Sequence, residues 1–389
     1  MKQVNVGIVG CGEFAELQHF PNCIANSKVK VKAICDIVPQ RMDYICKNFA
    51  LEDIFKTTDY NKLFAMSDLD LIILATDHGV HLELIEKAAM AGKHILVEKP
   101  MVMTHQESKK VVRFVKESGI KLCVDYNRPH SPSMLELKKQ LELQRKNPMI
   151  SPWRSVRSEQ FPTLYEEQGT NLVITINDEI DSYRTVHLDP EKGGGVIIGE
   201  SCHFLDLACW LIDRRPVRIY ASGSSRLSHS IILNFEDGSL VNIFFSACGT
   251  FDYPKERYEL TAKGNLLLNE FFVETAVYGR GEVVRSTYPM QYDEFDQQVT
   301  EEGLAGYLAK RAIGQKQVSR GSSWPILMPD KGHRDLLNAF VEAIIEDKPS
   351  PVDEYRGARA TYLSSLAIES IRMGLPLPVQ QEELELFID

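Results

Sequence analysis

The chain has 389 residues, and its 44% apolar and 25% charged composition is that of a soluble globular protein, so two domains are expected. A formal net charge of −10 argues against a nucleic-acid surface, and the pair Lys109–Lys110 reads as a solvated helix face. No run approaches the roughly 20 apolar residues a membrane span needs. The apolar N-terminal stretch is broken by Asn5 and Gly7 and is too short for a signal-peptide core.

Val4 to Val9 is a short apolar run followed by a glycine turn and a helical stretch from about Phe14. Val29 to Cys35 is a second β-rich run, ending at Asp36, and Leu71 to Ala75 is a third. Helical periodicity from His81 to Ala91 leads to a strand at His94–Val97, and another helix precedes Lys121–Val124. Strands separated by helices of this length imply a parallel sheet with right-handed crossovers. Residues 145 to 190 read as polar and irregular. Beyond Val217 the runs suit an antiparallel sheet, as in Ser230–Phe235 and Leu240–Phe245 joined by the turn Glu236-Asp237-Gly238. Helices are expected over about Arg334–Glu346 and Gly357–Met373. The eight Cys form no C-x-x-C pair, and free thiols in a reducing cytoplasm are expected.

Gly10-Cys11-Gly12-Glu13-Phe14-Ala15 is G-x-G-x-x-A directly after the first strand. Glycine suits a tight turn where a dinucleotide pyrophosphate must approach backbone N–H groups at a helix N-terminus. Asp36 stands where a carboxylate accepts bonds from the adenosine ribose hydroxyls, which favours NAD over NADP. Arg41 follows closely and either softens that preference or forms a surface ion pair.

These residues resemble the glucose–fructose oxidoreductase and inositol dehydrogenase (Gfo/Idh/MocA) family. The matching strings are the glycine turn, Ala75-Thr76-Asp77-His78-Gly79-Val80-His81, and Ala91 to Pro100 with its Glu98-Lys99-Pro100 element. Asp125-Tyr126-Asn127-Arg128, Gly193-Gly194-Gly195 and Cys202-His203-Phe204-Leu205-Asp206 extend the likeness, which runs on to Asp330-Lys331-Gly332-His333. The resemblance implies an α/β plus α+β chain. Residues 1–127 would form an N-terminal Rossmann parallel sheet that binds NAD. Residues 128–389 would form a C-terminal open mixed or antiparallel β-sheet domain, with its terminal helices packing back on the first. The stretch from His187 to Glu200 looks like a branch found beside sugar-polymer or glycoside metabolism.

The resemblance makes Lys99 the catalytic lysine, His203 the proton-transferring histidine, and Lys99–Pro100 a commonly cis peptide bond. Most sugar dehydrogenases of the family carry Asp four residues before the histidine, whereas this chain has Gly199; Glu200, next to it, either replaces that carboxylate from a shifted angle as a catalytic residue or faces away. Expected cofactor contacts are Gly10, Cys11, Gly12, Glu13, Phe14, Asp36, Arg41, Ala75, Thr76, Glu98, Lys99 and Asn127, with His78 or His81 at the cofactor edge. Expected substrate contacts are Lys99, Tyr126, Arg128, Asn177, Arg184, His187, His203 and Asp206. No zinc-like spacing is present, so no metal is expected.

An NAD-dependent oxidoreductase acting on a hydroxyl-bearing carbon of a sugar, glycoside, sugar acid or cyclitol follows. Two alternatives stay open. One is a redox-neutral glycoside-cleaving enzyme that oxidises a sugar carbon transiently. The other is a sugar- or NAD-sensing regulator, which would have no need of proton-transfer groups. A cytoplasmic homo-oligomer, paired through the outer sheet face around Ile231 and Phe244, is expected.

Overall fold

Short continuous runs of β-branched and aliphatic residues build the first sheet. The computed structural model describes residues 3–146, 169–179, 185–290, 301–310 and 329–385. Strands β1 (Val4–Val9), β2 (Val29–Cys35), β3 (Phe55–Thr57), β4 (Leu71–Leu74), β5 (His94–Val97) and β6 (Leu122–Val124) are all parallel, in the order β3-β2-β1-β4-β5-β6. The short edge strand β3 went unread in the sequence, because Phe55-Lys56-Thr57 has no apolar run to mark it. Leu71, Ile72, Ile73 and Leu74 are all buried, since helices cover both faces of such a sheet. Each contributes about 1.5–3 kcal/mol by leaving water.

The strand order reverses between β1 and β4, and a ligand crevice opens at the carboxyl ends of strands at such a point. Gly10 marks the spot with φ +97°, and a Cβ there would lie 2.2 Å from the Ala75 carbonyl oxygen. Only glycine lets these two strand ends approach so closely.

The second sheet comprises β7 (Asn171–Asn177), β8 (Pro216–Gly223), β9 (His229–Phe235), β10 (Leu240–Ser246), β11 (Glu256–Ala262), β12 (Asn265–Glu270), β13 (Glu274–Arg280), β14 (Glu282–Thr287) and β15 (Leu377–Pro378). Their order is β14-β13-β12-β11-β7-β10-β9-β8-β15. Strand β7 corrects the sequence reading, which took residues 145 to 190 as irregular. It lies in the middle of the sheet, parallel to β10 and antiparallel to β11. Its period of two is intact, with Leu172, Ile174 and Ile176 buried and Val173 41% exposed. Polar flanks on both sides hid it.

Helices Pro132–Lys146, Cys202–Ile212 and Glu354–Met373 supply apolar side chains to the core beneath this sheet. The helix Glu354–Met373 also joins the other core, giving Ala358 and Ala360 to it and Tyr362, Leu363 and Ala367 to the second. Helix His333–Ile345 packs Leu336, Leu337, Phe340 and Val341 into the core of the first sheet. On the outer face Phe244 is 50% exposed, whereas Ile231 is buried against the inner core. An outer pairing surface can therefore use Phe244 and Val173 but not Ile231.

Candidate active site

The glycine turn places its parts by backbone geometry. The Gly10 N–H donates to the Cys35 carbonyl at 2.8 Å, and the Cys11 N–H donates to Asp36 Oδ2 at 2.8 Å. The other Asp36 oxygen accepts the Val38 N–H at 2.8 Å, and the Arg41 guanidinium stands 3.9 Å away. The carboxylate is thus fixed at the end of β2, beside the turn. The Cys11 side chain itself is buried, and burial with Asp36 nearby pushes its thiol up to about 12. A Cβ at Gly12 would meet no atom within 4 Å, and Phe14 is 37% exposed at the rim, edge-on to His19 and His333. Glu13 is exposed in the same turn. Thr76 Oγ1 and Asn127 Oδ1 are buried without a protein partner, while Asn127 Nδ2 donates to the Lys331 carbonyl. Open space over Gly12, a fixed carboxylate at Asp36 and orphaned polar atoms at Thr76 and Asn127 fit a dinucleotide.

Below the crevice lies a buried acid–imidazole network that the sequence did not announce. His19 sits in a π turn, Ala15–His19, and its Nε2 is 2.8 Å from Glu98 Oε1. Glu98 also accepts the Lys99 N–H at 3.2 Å and lies close to Asp125, which in turn meets His333 Nδ1 at 3.3 Å. Burial and the neighbouring Asp125 push the Glu98 carboxyl well up. Burial would raise Asp125 too, but His333 and His19 hold it near 2. Burial lowers the basicity of His19, and Asp125 opposes that shift. Ligand atoms of His19, Glu98 and Asp125 lie within 4.8 Å of one another, His19 and Glu98 being joined directly.

Lys99 follows on the cis Lys99–Pro100 peptide bond. Its Nζ donates to the Gly199 carbonyl at 2.8 Å and to Glu200 Oε1 at 2.5 Å, so this one side chain links the two domains' contributions. Glu200 lies in the π turn Ile197–Ser201, which leads directly into helix Cys202–Ile212. Such wide turns re-aim side chains and occur often at functional sites. Burial would raise the Glu200 carboxyl, yet Lys99, Lys255 and Arg128 together carry it down to about 2. It is ionised throughout the working range. The Gly199 position itself is crowded: a Cβ would meet His78 Cε1 at 3.2 Å. The His78 ring fills the space into which an aspartate at Gly199 would project. It is held there by a 2.9 Å bond to the Gly193 carbonyl and by stacking on His187 at 4.8 Å. Burial, with His81 and Lys99 adding repulsion, lowers His78 to about 3.

His203 occupies the first turn of the Cys202–Ile212 helix, 5.5 Å from the Tyr126 ring and edge-on to it. It is buried, and its Nδ1 has no hydrogen-bond partner. Burial first, then Arg128 and Lys99, hold it well below the usual imidazole value.

Other expected contacts are committed elsewhere. Asp206 is fully buried in a two-point ion pair with Arg356, at 3.0 and 2.6 Å, with Arg359 at 3.8 Å, so it cannot bind a substrate hydroxyl. Asn177 spends both amide atoms on the Thr250 backbone. Tyr126 is buried behind His203, and His81 bonds the Pro100 and Thr76 carbonyls inside the first domain. Arg128 is locked on Glu256 by two 2.8 Å bonds and acts through its charge. Ala75 sits at the end of β4 against Gly10, and His187 lies at the rim, 3.9 Å from Asp77. Arg184 lies outside the described residues.

Four charged groups that sequence reasoning passed over complete the site. Lys255 bonds Asp178 at 2.6 Å and stands 3.8 Å from Glu200; Lys331 bonds Glu256 at 2.9 Å. Only the fold brings Asp178, Lys255, Glu256 and Lys331 to one wall.

Residues 4–126 match the oxidoreductase family with an NAD-binding Rossmann fold, and residues 173–265 match the GFO/IDH/MocA C-terminal domain. The protein is an NAD-binding oxidoreductase. Its chain belongs to the Gfo/Idh/MocA family. It is 26% identical over 401 residues to the uncharacterized oxidoreductase YrbE of Bacillus subtilis (strain 168), covering 98% of each chain. It is 24% identical over 386 residues to the inositol 2-dehydrogenase/D-chiro-inositol 3-dehydrogenase of Lactiplantibacillus plantarum, covering 96% of this chain and 94% of that one. Its fold matches an oxidoreductase from Agrobacterium radiobacter in complex with NAD+, L-tartaric acid and magnesium, at a TM-score of 0.74 and 15% identity, over 97% and 98% of the two chains. No helix among the described residues is long and apolar enough to cross a membrane.

Proposed function

We propose that the protein is a dehydrogenase that moves hydride between NAD and a hydroxyl-bearing carbon of a sugar or cyclitol. The observation that carries this reading is the triad of Lys99, Glu200 and His203, which sets an ammonium held by a carboxylate beside an unpartnered imidazole. The inositol dehydrogenase activity of the Lactiplantibacillus plantarum relative supports it at the level of substrate class.

NAD, when bound, would supply the hydride acceptor for oxidation of a carbinol carbon to a ketone, which leaves the hydroxyl proton for the protein to take. Lys99 donates a hydrogen bond to the reacting oxygen and stabilises the charge that develops there. Glu200 aims that ammonium through their direct contact, the task an aspartate at Gly199 would otherwise perform. His203 receives the hydroxyl proton. Asp36, Thr76 and Asn127 hold the cofactor, and Glu98 and His19 brace the Lys99 turn from below.

The test is purified protein with NAD and a panel of sugars, inositols, sugar acids and aryl glycosides, following the NADH band and product chromatography together. NADH equimolar with a keto product is expected. Aglycone release without net NADH would replace this reading with redox-neutral glycoside cleavage.

A further inference from the structure

Ser201 closes the π turn that carries Glu200 and begins the helix that carries His203. A serine at a helix start ordinarily caps it, its oxygen accepting a backbone N–H of the first turn. Ser201 does not. Its backbone is helical, its side chain makes no capping bond, and its Oγ lies 2.7 Å from Nε2 of His229. The other ring nitrogen, Nδ1, is 2.7 Å from the Leu227 carbonyl oxygen. A carbonyl only accepts, so Nδ1 carries the hydrogen, and in the uncharged ring Nε2 is left as an acceptor. Burial holds His229 down at about 4, and above that value the ring is uncharged. The Ser201 hydroxyl is therefore the donor, and the Leu227 backbone fixes the direction of the bond.

His229 is itself anchored. It opens β9, is 3% exposed, and lies flat on the Phe245 ring at 5.3 Å and 9°. The same β8–β9 hairpin supplies a second tie, because the Ile197 N–H donates to the Ser225 carbonyl at 3.3 Å. Ile197 and Ser201 are the first and last residues of the π turn, so the hairpin grips it at both ends. Between them sit Gly199 and Glu200, the two acceptors of Lys99 Nζ.

A π turn is a rare single-turn departure from the α-helix, and it needs outside contacts to persist. We propose that Ser201 and His229 are positioning residues of the active site, holding the π turn so that Gly199 and Glu200 face Lys99, an inference whose effect on rate rests on the dehydrogenase reading above. Ser201 is fully buried, so its oxygen meets no substrate, and the pair acts through the turn rather than on the reacting atoms. A one-residue change of helical register swings a side chain by about 100°. Without the grip the turn relaxes toward the α-helix that follows, and Glu200 leaves Lys99. His203 keeps its place, because its helix is held separately by Asp206 on Arg356.

Two variants and two readouts test this. Ser201→Ala leaves the buried Nε2 without a donor and so costs stability as well as position. The double variant Ser201→Ala with His229→Phe replaces both partners by apolar groups and is expected to recover much of the lost melting temperature. The first readout is NADH formation with the panel compound that the wild type oxidises fastest. A fall of about tenfold in kcat is expected in Ser201→Ala and again in the double variant, with KM and the NAD dissociation constant little changed. The second readout needs no turnover: acetylation of Lys99 by acetic anhydride in NAD-saturated protein, followed by peptide mass spectrometry. Lys99 is 17% accessible and engaged by two acceptors, and once released it is expected to label severalfold faster in both variants. Lys93, bonded to the Met66 and Leu69 carbonyls in the first domain, is the unchanged reference. Recovery of kcat along with stability in the double variant would reduce the pair to core packing and overturn the inference. Lys99 labelling equal to wild type in both variants would overturn it too. If no compound yields NADH, the dehydrogenase reading fails by itself, and the labelling alone decides whether the pair positions Lys99.

Discussion

The two sheets hold their functional groups by different physics. At the first, position is set by backbone: φ +97° at Gly10, an approach to Ala75 that admits no Cβ, and a carboxylate at Asp36 clamped by two main-chain N–H groups. At the second, position is set by charge. Asp178 after β7, Glu200 in its π turn and Lys255-Glu256 at the start of β11 are held by ion pairs between 2.6 and 3.8 Å or by Lys99 reaching across. A backbone cradle depends little on which side chains surround it. A charge network is disturbed by any single neutralisation, which makes it the place where specificity can change.

Lys99 is the residue where the two meet, and its loss is expected to be the largest single effect. Lys99→Met should lower kcat by about 10²–10⁴-fold while NAD still binds, because an electrostatic contact to the reacting oxygen is removed and the cradle is not. Fluorescence titration of NAD alongside NADH kinetics checks this. Equal losses in both would mean that Lys99 serves the cofactor and that the division drawn here is wrong.

Glu200→Gln comes next, with an expected loss of about 10–100-fold in kcat/KM, since Lys99 and Lys255 would then lack a shared anion. Because cations hold Glu200 down at about 2, it is charged at every pH at which the enzyme is assayed. The variant should therefore lower the whole pH–rate profile without removing its acidic limb. Disappearance of that limb would make Glu200 a titrating catalyst.

The contrast also explains what could be read from sequence. Gly10 to Ala15, Asp36 and Glu98-Lys99-Pro100 are contiguous strings whose residue types are dictated by turn geometry, so the Rossmann sheet and NAD were legible. Glu200 stood out because Gly199 broke the expected spacing, and His78 now accounts for that break. Lys255-Glu256 stands at the start of a strand and looks in sequence like any solvated charged pair. Its meaning comes from β11 lying next to β7, a strand whose polar flanks concealed it. His19 was invisible for a related reason, since a π turn rather than a regular helix aims it at Glu98. Asp206 shows the reverse error. Its spacing from His203 suggested the same helix face, but Arg356, distant in sequence, claims it.

Asp36→Asn sharpens the cradle side. The amide keeps one oxygen for a main-chain N–H but loses the charge that ribose hydroxyls would bond. An increase of about tenfold in KM for NAD is expected, with the change carried by KM rather than kcat, and with discrimination against NADP reduced. Parallel titrations with NAD and NADP measure it. A fall in kcat instead would show that Asp36 shapes the catalytic wall, and the two regions would no longer be separable.

The smallest effect concerns the helix that serves both cores. Glu354 begins the Glu354–Met373 helix and is 9% exposed, and burial, with Asp353 adding repulsion, raises its carboxyl to about 7. A folded-state value above the unfolded 4.5 means that the folded chain holds a proton the unfolded chain has released. The associated stability is fully present below about pH 4.5 and is lost as pH rises through 7. Between pH 5 and pH 8 the protein should lose about 2 kcal/mol from this group, after allowance for its partial contact with water. Glu354→Gln mimics the protonated form and should flatten that slope, lifting the melting temperature by a few degrees at pH 8 and little at pH 5. Thermal melts of both proteins at the two pH values decide it. If the variant keeps the wild-type slope, the pH sensitivity lies instead with the Glu98–Asp125 pair, and the seam between the cores is indifferent to the charge at its helix start.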